Sequence, residues 1–176
     1  MEKYISPKVI KQIIYRTEDI QTQLIIFFIY NYGMRPIDIL KLSRRNFIIK
    51  DQKIRIQFQR IKTATNHVFK IPDYFVQTIY KHIVKRKDNE PLFKGTNKKR
   101  MTEVTLENRL FQETLKQNKN LASETLWNSH LYWVFRKRYT LEEAIKEYNI
   151  TKNSKAWKIW DDANCEKCSY PRLLDI

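Results

Sequence analysis

The residues from Gly33 to Asp38 have the types and spacing needed to hold a phosphate group. Gly33 is one of only two glycines in the chain and is expected to end a helix, and Pro36 is expected to begin the next. Arg35 lies at the start of that second helix, and Asp38 follows it at the spacing of one helical turn. A carboxylate there can fix the guanidinium and leave its outer edge free for bidentate contact with phosphate. The alternative is an ordinary surface ion pair, which contributes little.

The overall charge favours a polyanionic partner. Lysine and arginine total 34 against 19 acidic residues, which gives a net charge of +15. Such a domain repels itself unless a polyanion neutralises it, and nucleic acid is the commonest such partner. An anionic membrane surface is one alternative, and a compositional bias without functional meaning is another. A glycine-rich phosphate loop is excluded, because it needs several glycines close together.

Periodicity predicts a mainly helical α+β domain. Ser6 and Pro7 are typical of a helix cap and first helical residue, and a second, strongly apolar helix is predicted to end at Gly33. A short β-rich run at 47–49 and strict apolar–polar alternation over 54–58 and 67–71 predict a three-stranded antiparallel sheet. Further helix-start signals are Pro36, Pro72 with Asp73, and the capping-box pair Thr140 and Glu143.

Around Arg35 the sequence resembles the tyrosine recombinases, or phage integrases. The positions that match the motif of the family's first catalytic arginine are Gly33, Arg35, Asp38, Ile39 and Leu42. The two preceding helices and the following sheet also look like parts of the family's catalytic domain, and the similarity weakens after about residue 121. The resemblance implies helices packed around a small three-stranded sheet, in a single domain of residues 1–176. The family's N-terminal DNA-clamping domain is not predicted within these residues.

The resemblance also implies a lysine in the turn between the last two strands. Lys62, within the run Arg60-Ile-Lys-Thr-Ala-Thr65, occupies that place. In the family this lysine protonates the leaving 5′ oxygen of DNA, and a mobile ammonium group on a turn suits such general-acid work. The alternative is a solvated turn lysine.

A third implied element is a histidine followed, after two residues, by a second arginine. His130 lies in that register, but Trp133 stands where the arginine is expected. Arg136, one helical turn further on, is a candidate to supply the missing charge. The alternative for His130 is a structural role, which is the usual one for a lone histidine.

The family then places a histidine or tryptophan in the next helix, with the nucleophilic tyrosine shortly after it. Trp157 and Trp160 are candidates for the first role, and Tyr170 is the candidate nucleophile. The segment 161–169 looks unlike the family's usual sequence, so an ordinary tail tyrosine is the alternative.

No metal or other cofactor is predicted. Cys165 and Cys168 could form half of a zinc site, but tetrahedral zinc takes four ligands and no histidine has matching spacing. Two cysteines do not make a disulfide framework, and no apolar run reaches the roughly 18 residues needed to span a bilayer. The expected location is the cytoplasm of a prokaryotic cell or a viral host.

The function implied by the resemblance is metal-free cleavage and rejoining of DNA strands. Arg35 and His130 would stabilise the charge that develops on the phosphate, and Tyr170 would form a 3′-phosphotyrosyl intermediate. The alternative is a catalytically impaired homologue that acts as a regulatory or architectural DNA-binding protein, because Trp133 replaces the second arginine. A third reading is an unrelated basic RNA-binding or membrane-surface domain, which the matches at Arg35 and Lys62 argue against.

Double-stranded DNA is the predicted partner, bound by a dimer or tetramer of the chain. The tail after Trp160 is the segment expected to mediate assembly. The residues predicted to contact DNA outside the catalytic set are Arg60, Lys94, Lys98, Lys99 and Arg100.

Overall fold

The computed structural model describes residues 3–137, 140–148 and 150–164. The helices within them are α1 (Pro7–Arg16), α2 (Ile20–Tyr32), α3 (Pro36–Lys41), α4 (Asp73–Ile83), α5 (Glu103–Leu115), α6 (Ser123–Lys137), α7 (Leu141–Tyr148) and α8 (Lys155–Asn164). The strands are β1 (Phe47–Lys50), β2 (Lys53–Gln59) and β3 (Asn66–Lys70). The predicted α+β, mainly helical fold is therefore confirmed. Among the described residues, none of the helices has both the length and the apolar composition that spanning a bilayer requires.

The central element is α2, which is apolar on all sides. Asp19 caps its start by accepting a hydrogen bond from the Thr22 N–H at 2.9 Å. The run from Leu24 to Tyr30 is buried without interruption, as expected for a helix that is covered on every face. Helices α1, α3, α4, α5 and α6 all contact α2. The position of α2 therefore determines where the other helices lie.

The three strands form one antiparallel sheet in the order β1-β2-β3. Alternation along β2 turns Ile54, Ile56 and Phe58 into the core, where they pack on the side that α4 covers. The Arg60 N–H donates to the Thr65 carbonyl at 2.8 Å and closes the turn between β2 and β3. This turn carries Lys62 beyond the end of the sheet.

A second, smaller core joins α6, α7 and α8. Its buried side chains include Leu131 and Phe135 of α6 and Ile159 of α8. The predicted capping box at the start of α7 is present, because the Thr140 N–H donates to Glu143 and the Glu143 N–H donates to the Thr140 hydroxyl. This second core fixes the end of α7 beside the first core.

Gly33 ends α2 in a left-handed conformation, with φ at +59°. Its N–H donates to the Ile29 carbonyl at 3.0 Å, and the Met34 N–H donates to the Phe28 carbonyl at 3.4 Å, which is the Schellman arrangement. A Cβ atom at this position would lie 2.4 Å from Nε2 of His130. Glycine is therefore required both by the backbone conformation and by the close approach of the imidazole.

We expect Gly33→Ala to lower the free energy of unfolding by about 1–3 kcal/mol, because it strains the backbone and displaces a buried ring. Urea denaturation followed by circular dichroism measures the change. Gly95→Ala is the matched control, since its new Cβ would meet only the Met101 Cα, at 3.9 Å. Equal stability of the two variants would contradict this account of Gly33.

Candidate phosphate-binding site

A pocket lies where the start of α3 and the β2–β3 turn meet α6 and the end of α7. Its lining residues are Arg35, Asp38, Arg60, Lys62, Thr63, Trp127, Glu147 and Tyr148. The structure thus brings together Arg35 and Lys62, which the sequence had identified separately. It adds the aromatic side chains of Trp127 and Tyr148, which sequence reasoning missed.

Arg35 is directed into the pocket by its neighbours in the chain. Because Pro36 follows it, its backbone is extended, with φ at −83° and ψ at 158°, and α3 begins immediately afterwards. Its guanidinium carbon lies 4.5 Å from the centroid of the Trp127 ring, a cation–π contact. Hydrogen bonds between this guanidinium and other described side chains or carbonyls are absent. Its N–H donors are therefore available to an anion.

The charge of Arg35 persists in this half-buried setting. Burial lowers the pKa of the Arg35 guanidinium, the Asp38 carboxylate opposes that shift, and the Arg60 charge adds to it. An arginine side chain stays protonated throughout the physiological range. The pocket therefore holds a fixed positive charge.

Asp38 has a different role from the predicted one. It is 5% exposed, and its two oxygens accept hydrogen bonds from main-chain N–H groups, those of Arg35 at 3.2 Å and Ile61 at 3.0 Å. The helical-turn spacing had predicted that this carboxylate braces the Arg35 guanidinium. Instead, the carboxylate ties the start of α3 to the β2–β3 turn and so fixes the backbone next to Lys62.

Arg60, which the sequence analysis predicted to contact DNA, is buried at the base of the pocket. Its side chain is 7% exposed and donates to the carbonyls of Gly33 at 3.2 Å and Tyr32 at 3.1 Å. It also pairs with Glu147 at 3.3 Å, and its guanidinium carbon lies 4.8 Å from the Tyr148 ring centroid. These contacts assign Arg60 to holding the carbonyl end of α2.

Trp127 packs against one face of the Arg35 guanidinium. Its indole N–H donates to the Gly33 carbonyl at 3.2 Å, which fixes the plane of the ring. Trp133 occupies a different place, because its N–H donates to the Ile5 carbonyl at 2.8 Å and its ring packs against the main core. The tryptophan in contact with Arg35 is therefore one helical turn before His130, and Trp133, which stands where the second arginine was expected, does not line the pocket.

His130 lies behind the pocket wall. It is 4% exposed; its Nδ1 lies 2.6 Å from the Tyr30 carbonyl and its Nε2 lies 2.9 Å from the Tyr148 hydroxyl. A carbonyl oxygen only accepts, so Nδ1 carries the proton and Nε2 accepts from the phenol. Tyr148 thus comes between His130 and the pocket. Its only sequence signal is its place at the end of the helix that the capping box starts.

Glu147 connects the end of α7 to the sheet. One of its oxygens lies 3.3 Å from Arg60 and 3.5 Å from Nδ1 of His67. Burial lowers the pKa of His67, Glu147 opposes the shift and Arg60 adds to it. This small network holds α7 and β3 together at the pocket floor.

The other aromatic candidates belong to the second core. The Trp160 ring packs edge-on against Phe135 with centroids 5.3 Å apart, and Trp157 is partly buried in the same cluster. Arg136 donates to the Tyr132 hydroxyl at 2.9 Å. The structure does not bring Trp157, Trp160 or Arg136 to the lining of the pocket.

The basic loop before α5 is only partly exposed. Lys94 pairs with Glu90 at 2.6 Å, and the Arg100 guanidinium donates to the carbonyls of Leu40 and Leu42. Lys98 and Lys99 are exposed in a turn. Of the residues predicted to contact DNA from this loop, these two are the most accessible to a duplex.

Tyr170, the candidate nucleophile, lies outside the described residues, as do Cys165 and Cys168. Within the described ranges, no group of three or more His, Cys, Asp or Glu side chains is arranged to hold a metal ion.

Comparison with known proteins gives one family and one fold. The family model described as the phage integrase family matches residues 3–148. XerA recombinase superposes with a TM-score of 0.71 at 16% identity, over 93% of this chain and 61% of that chain. XerH recombinase bound to a palindromic difH substrate superposes with a TM-score of 0.67 at 12% identity, over 90% of this chain and 49% of that chain. Lambda integrase residues 75–356 bound to DNA superposes with a TM-score of 0.58 at 10% identity, over 93% of this chain and 61% of that chain. A search of curated protein sequences found no match.

The structural matches establish the fold, and each covers only part of the matched chain. This chain spans about half to three-fifths of the length of the XerA and XerH chains it matches. Their sequence identities of 16% and 12% are low enough that the likeness establishes a shared architecture and no more.

We expect Asp38→Asn to destabilise the protein by about 1–3 kcal/mol, because an amide offers one acceptor oxygen in place of the two that Asp38 uses. The Ile61 amide should lose protection from hydrogen exchange, since it is bound directly by the carboxylate. Native-state hydrogen exchange measures both effects, with Asp161→Asn on the exposed side of α8 as control. Unchanged protection of Ile61 would show that the carboxylate does not anchor the turn.

Proposed function

The chain belongs to the phage integrase family, and from that membership we propose that it is a DNA-binding domain for site-specific recombination. In this proposal a phosphate of duplex DNA binds between Arg35 and Lys62. The observation that carries it is the Arg35 guanidinium, which is half-buried, supported on one face by Trp127 and not hydrogen-bonded to other described groups. Such a guanidinium presents a rigid fork of donors to a phosphate.

The setting of Lys62 supports the same proposal. Its neighbour Ile61 is held by Asp38, so the turn is anchored, while Lys62 itself is exposed. An anchored backbone with a free ammonium group keeps a cation near the phosphate and still allows it to move. The net charge of +15 supplies the long-range attraction for a duplex.

We expect Arg35→Ala to weaken duplex binding by about tenfold to a hundredfold, because it removes a charge-assisted contact in a half-buried site. The slope of log Kobs against log salt should also become shallower by about 0.9, the value for one lost phosphate contact. Fluorescence anisotropy with a labelled duplex measures both quantities. Arg16→Ala, at an exposed arginine at the end of α1, is the matched control. If both variants behave alike, Arg35 does not contact phosphate.

Strand cleavage is the finer part of the proposal. Tyr170 would lose its phenolic proton to solvent and attack the phosphorus as the phenolate, forming a bond from its oxygen while the bond from phosphorus to the 5′ oxygen breaks. Lys62 would donate its proton to the leaving 5′ oxygen, and Arg35 would stabilise the charge on the non-bridging oxygens. The phosphotyrosyl link keeps the bond energy, so rejoining would need no nucleotide cofactor and no metal.

One observation favours a second candidate function, a DNA-binding regulatory or architectural protein without cleavage activity. Trp133, which stands where the second arginine is expected, does not line the pocket, and the ring in contact with Arg35 is that of Trp127, which carries no positive charge. Losing one donor to the developing charge typically costs about 10²–10³-fold in rate. His130, the other predicted donor, lies behind Tyr148. Both facts reduce the electrostatic support for a transition state.

Trapping with a suicide substrate separates the two candidates. We expect a pool of nicked duplexes to form a covalent adduct with the unchanged chain and with Tyr15→Phe, an exposed control tyrosine, but not with Tyr170→Phe. Denaturing electrophoresis detects the adduct. Duplex binding without any adduct would establish the second candidate function, and an adduct that persists in Tyr170→Phe would exclude Tyr170 as nucleophile.

The proposed partner is double-stranded DNA, bound by residues 1–176 acting as a single domain. The XerH structure is a complex with its difH substrate, and lambda integrase has been solved as a dimer on a core site. By analogy we propose a dimer or tetramer on DNA, without a metal or small-molecule cofactor. The proposed location is the cytoplasm, where the duplex is accessible.

A further inference from the structure

The sheet presents one face to solvent, and that face carries cations without carboxylates. We call it the outer sheet face. The residues whose side chains point outward from it are Ile48, Lys50, Lys53, Arg55, Gln57, Gln59, Asn66, Val68 and Lys70, and all nine are exposed. Four of the nine are basic and none is acidic.

The strand register places these cations directly opposite one another. Lys50 pairs with Lys53 across β1 and β2, and Arg55 pairs with Lys70 across β2 and β3. Like charges in directly opposed positions destabilise a sheet. Lys70 has one carboxylate partner, Asp73 at 3.2 Å. Ion pairs of Lys50, Lys53 and Arg55 with other described residues are absent, so the repulsion is largely uncompensated within the described part of the chain.

Protection against edge-to-edge aggregation does not account for this pattern. Lysines on edge strands do serve that purpose, and β1 and β3 are both edges. However, Arg55 lies on β2 between Ile48 of β1 and Lys70 of β3, so the strand is paired on both sides at this residue. A charge on the face of a central strand does not block an edge.

We propose that the outer sheet face binds the phosphate backbone of duplex DNA that continues from the phosphate held at Arg35. The inference extends the proposed function to a second surface. The β2–β3 turn that carries Lys62 leads directly into this face. Arg55 lies four residues before the end of β2, about 13 Å along the strand, which matches the rise of about four base pairs.

The chemistry of the face fits phosphate rather than bases. Gln57 continues the row along β2 toward the turn and offers an amide donor beside the cations, while the Gln59 amide donates to the Ala64 carbonyl at 3.2 Å. Phosphate oxygens between opposed cations would replace repulsion with attraction. DNA binding and sheet stability are therefore coupled: the free sheet keeps a repulsion that the bound duplex removes.

The test compares two double variants with the same loss of charge. Lys53→Gln/Arg55→Gln removes one cation from each opposed pair, and Lys8→Gln/Lys152→Gln removes two exposed lysines elsewhere. We expect the sheet variant to show a salt slope shallower by about 1 to 2 and a weaker Kd for a labelled mixed-sequence duplex. Its Tm should rise by about 1 to 4 °C because the repulsion is removed. In the control variant, the changes in salt slope and in Tm should both be smaller than in the sheet variant.

Equal salt slopes in the two double variants would overturn the proposal. A sheet variant that loses stability along with affinity would also overturn it, because the opposed cations would then be structural. Arg35→Ala in the same assay separates this inference from the proposed function. If Arg35→Ala binds normally while the sheet variant does not, the sheet face binds DNA without a phosphate at Arg35.

Discussion

The carbonyl groups at the end of α2 need hydrogen-bond donors, and the side chains that supply them fix how the sheet and α6 pack. A helix leaves its last carbonyls without partners, and they carry the negative end of the helix dipole. Arg60 from the sheet binds two of them, Trp127 from α6 binds the Gly33 carbonyl, and His130 binds one a turn earlier. These groups come from segments far apart in the chain. Satisfying one helix end therefore fixes where the sheet and α6 meet, and the pocket forms at that junction.

This arrangement gives the two arginines of the pocket different roles, one structural and one available to a ligand. The donors of Arg60 are directed to carbonyls and to Glu147, so its charge supports the fold. Arg35 keeps its guanidinium donors because Asp38 binds main-chain N–H groups and Trp127 supports the guanidinium through its ring face. The Arg35 donors stay directed into the pocket because other groups hold its backbone and one face of its guanidinium. Here Asp38 and Trp127 do so without occupying its donors.

The sequence predicted the parts of this site that depend on local patterns. The Gly33 stop, the helix start at Pro36 and the turn that carries Lys62 follow from neighbouring residues and from strand alternation. The sequence did not predict which side chain α6 contributes to the pocket, and the reason is geometric. Trp127, His130 and Trp133 recur at intervals of three residues, so shifting the register by three residues replaces each with the next and leaves the pattern largely unchanged. Which of them meets Arg35 depends on the long-range contact of α6 with α2.

The Trp127 ring against Arg35 has different consequences for the two proposed activities, DNA binding and strand cleavage. Binding a duplex draws on many phosphates, and a chain with net charge +15 can lose one cation and still attract the backbone. Cleavage depends on charge that grows at a single phosphorus, where only donors within hydrogen-bonding distance are effective. The Trp127 ring stacks on Arg35 and its indole N–H is bound to the Gly33 carbonyl, so it brings neither a positive charge nor an available donor to the pocket. In the proposed function, the pocket therefore supports the binding of a phosphate more strongly than the cleavage of a strand.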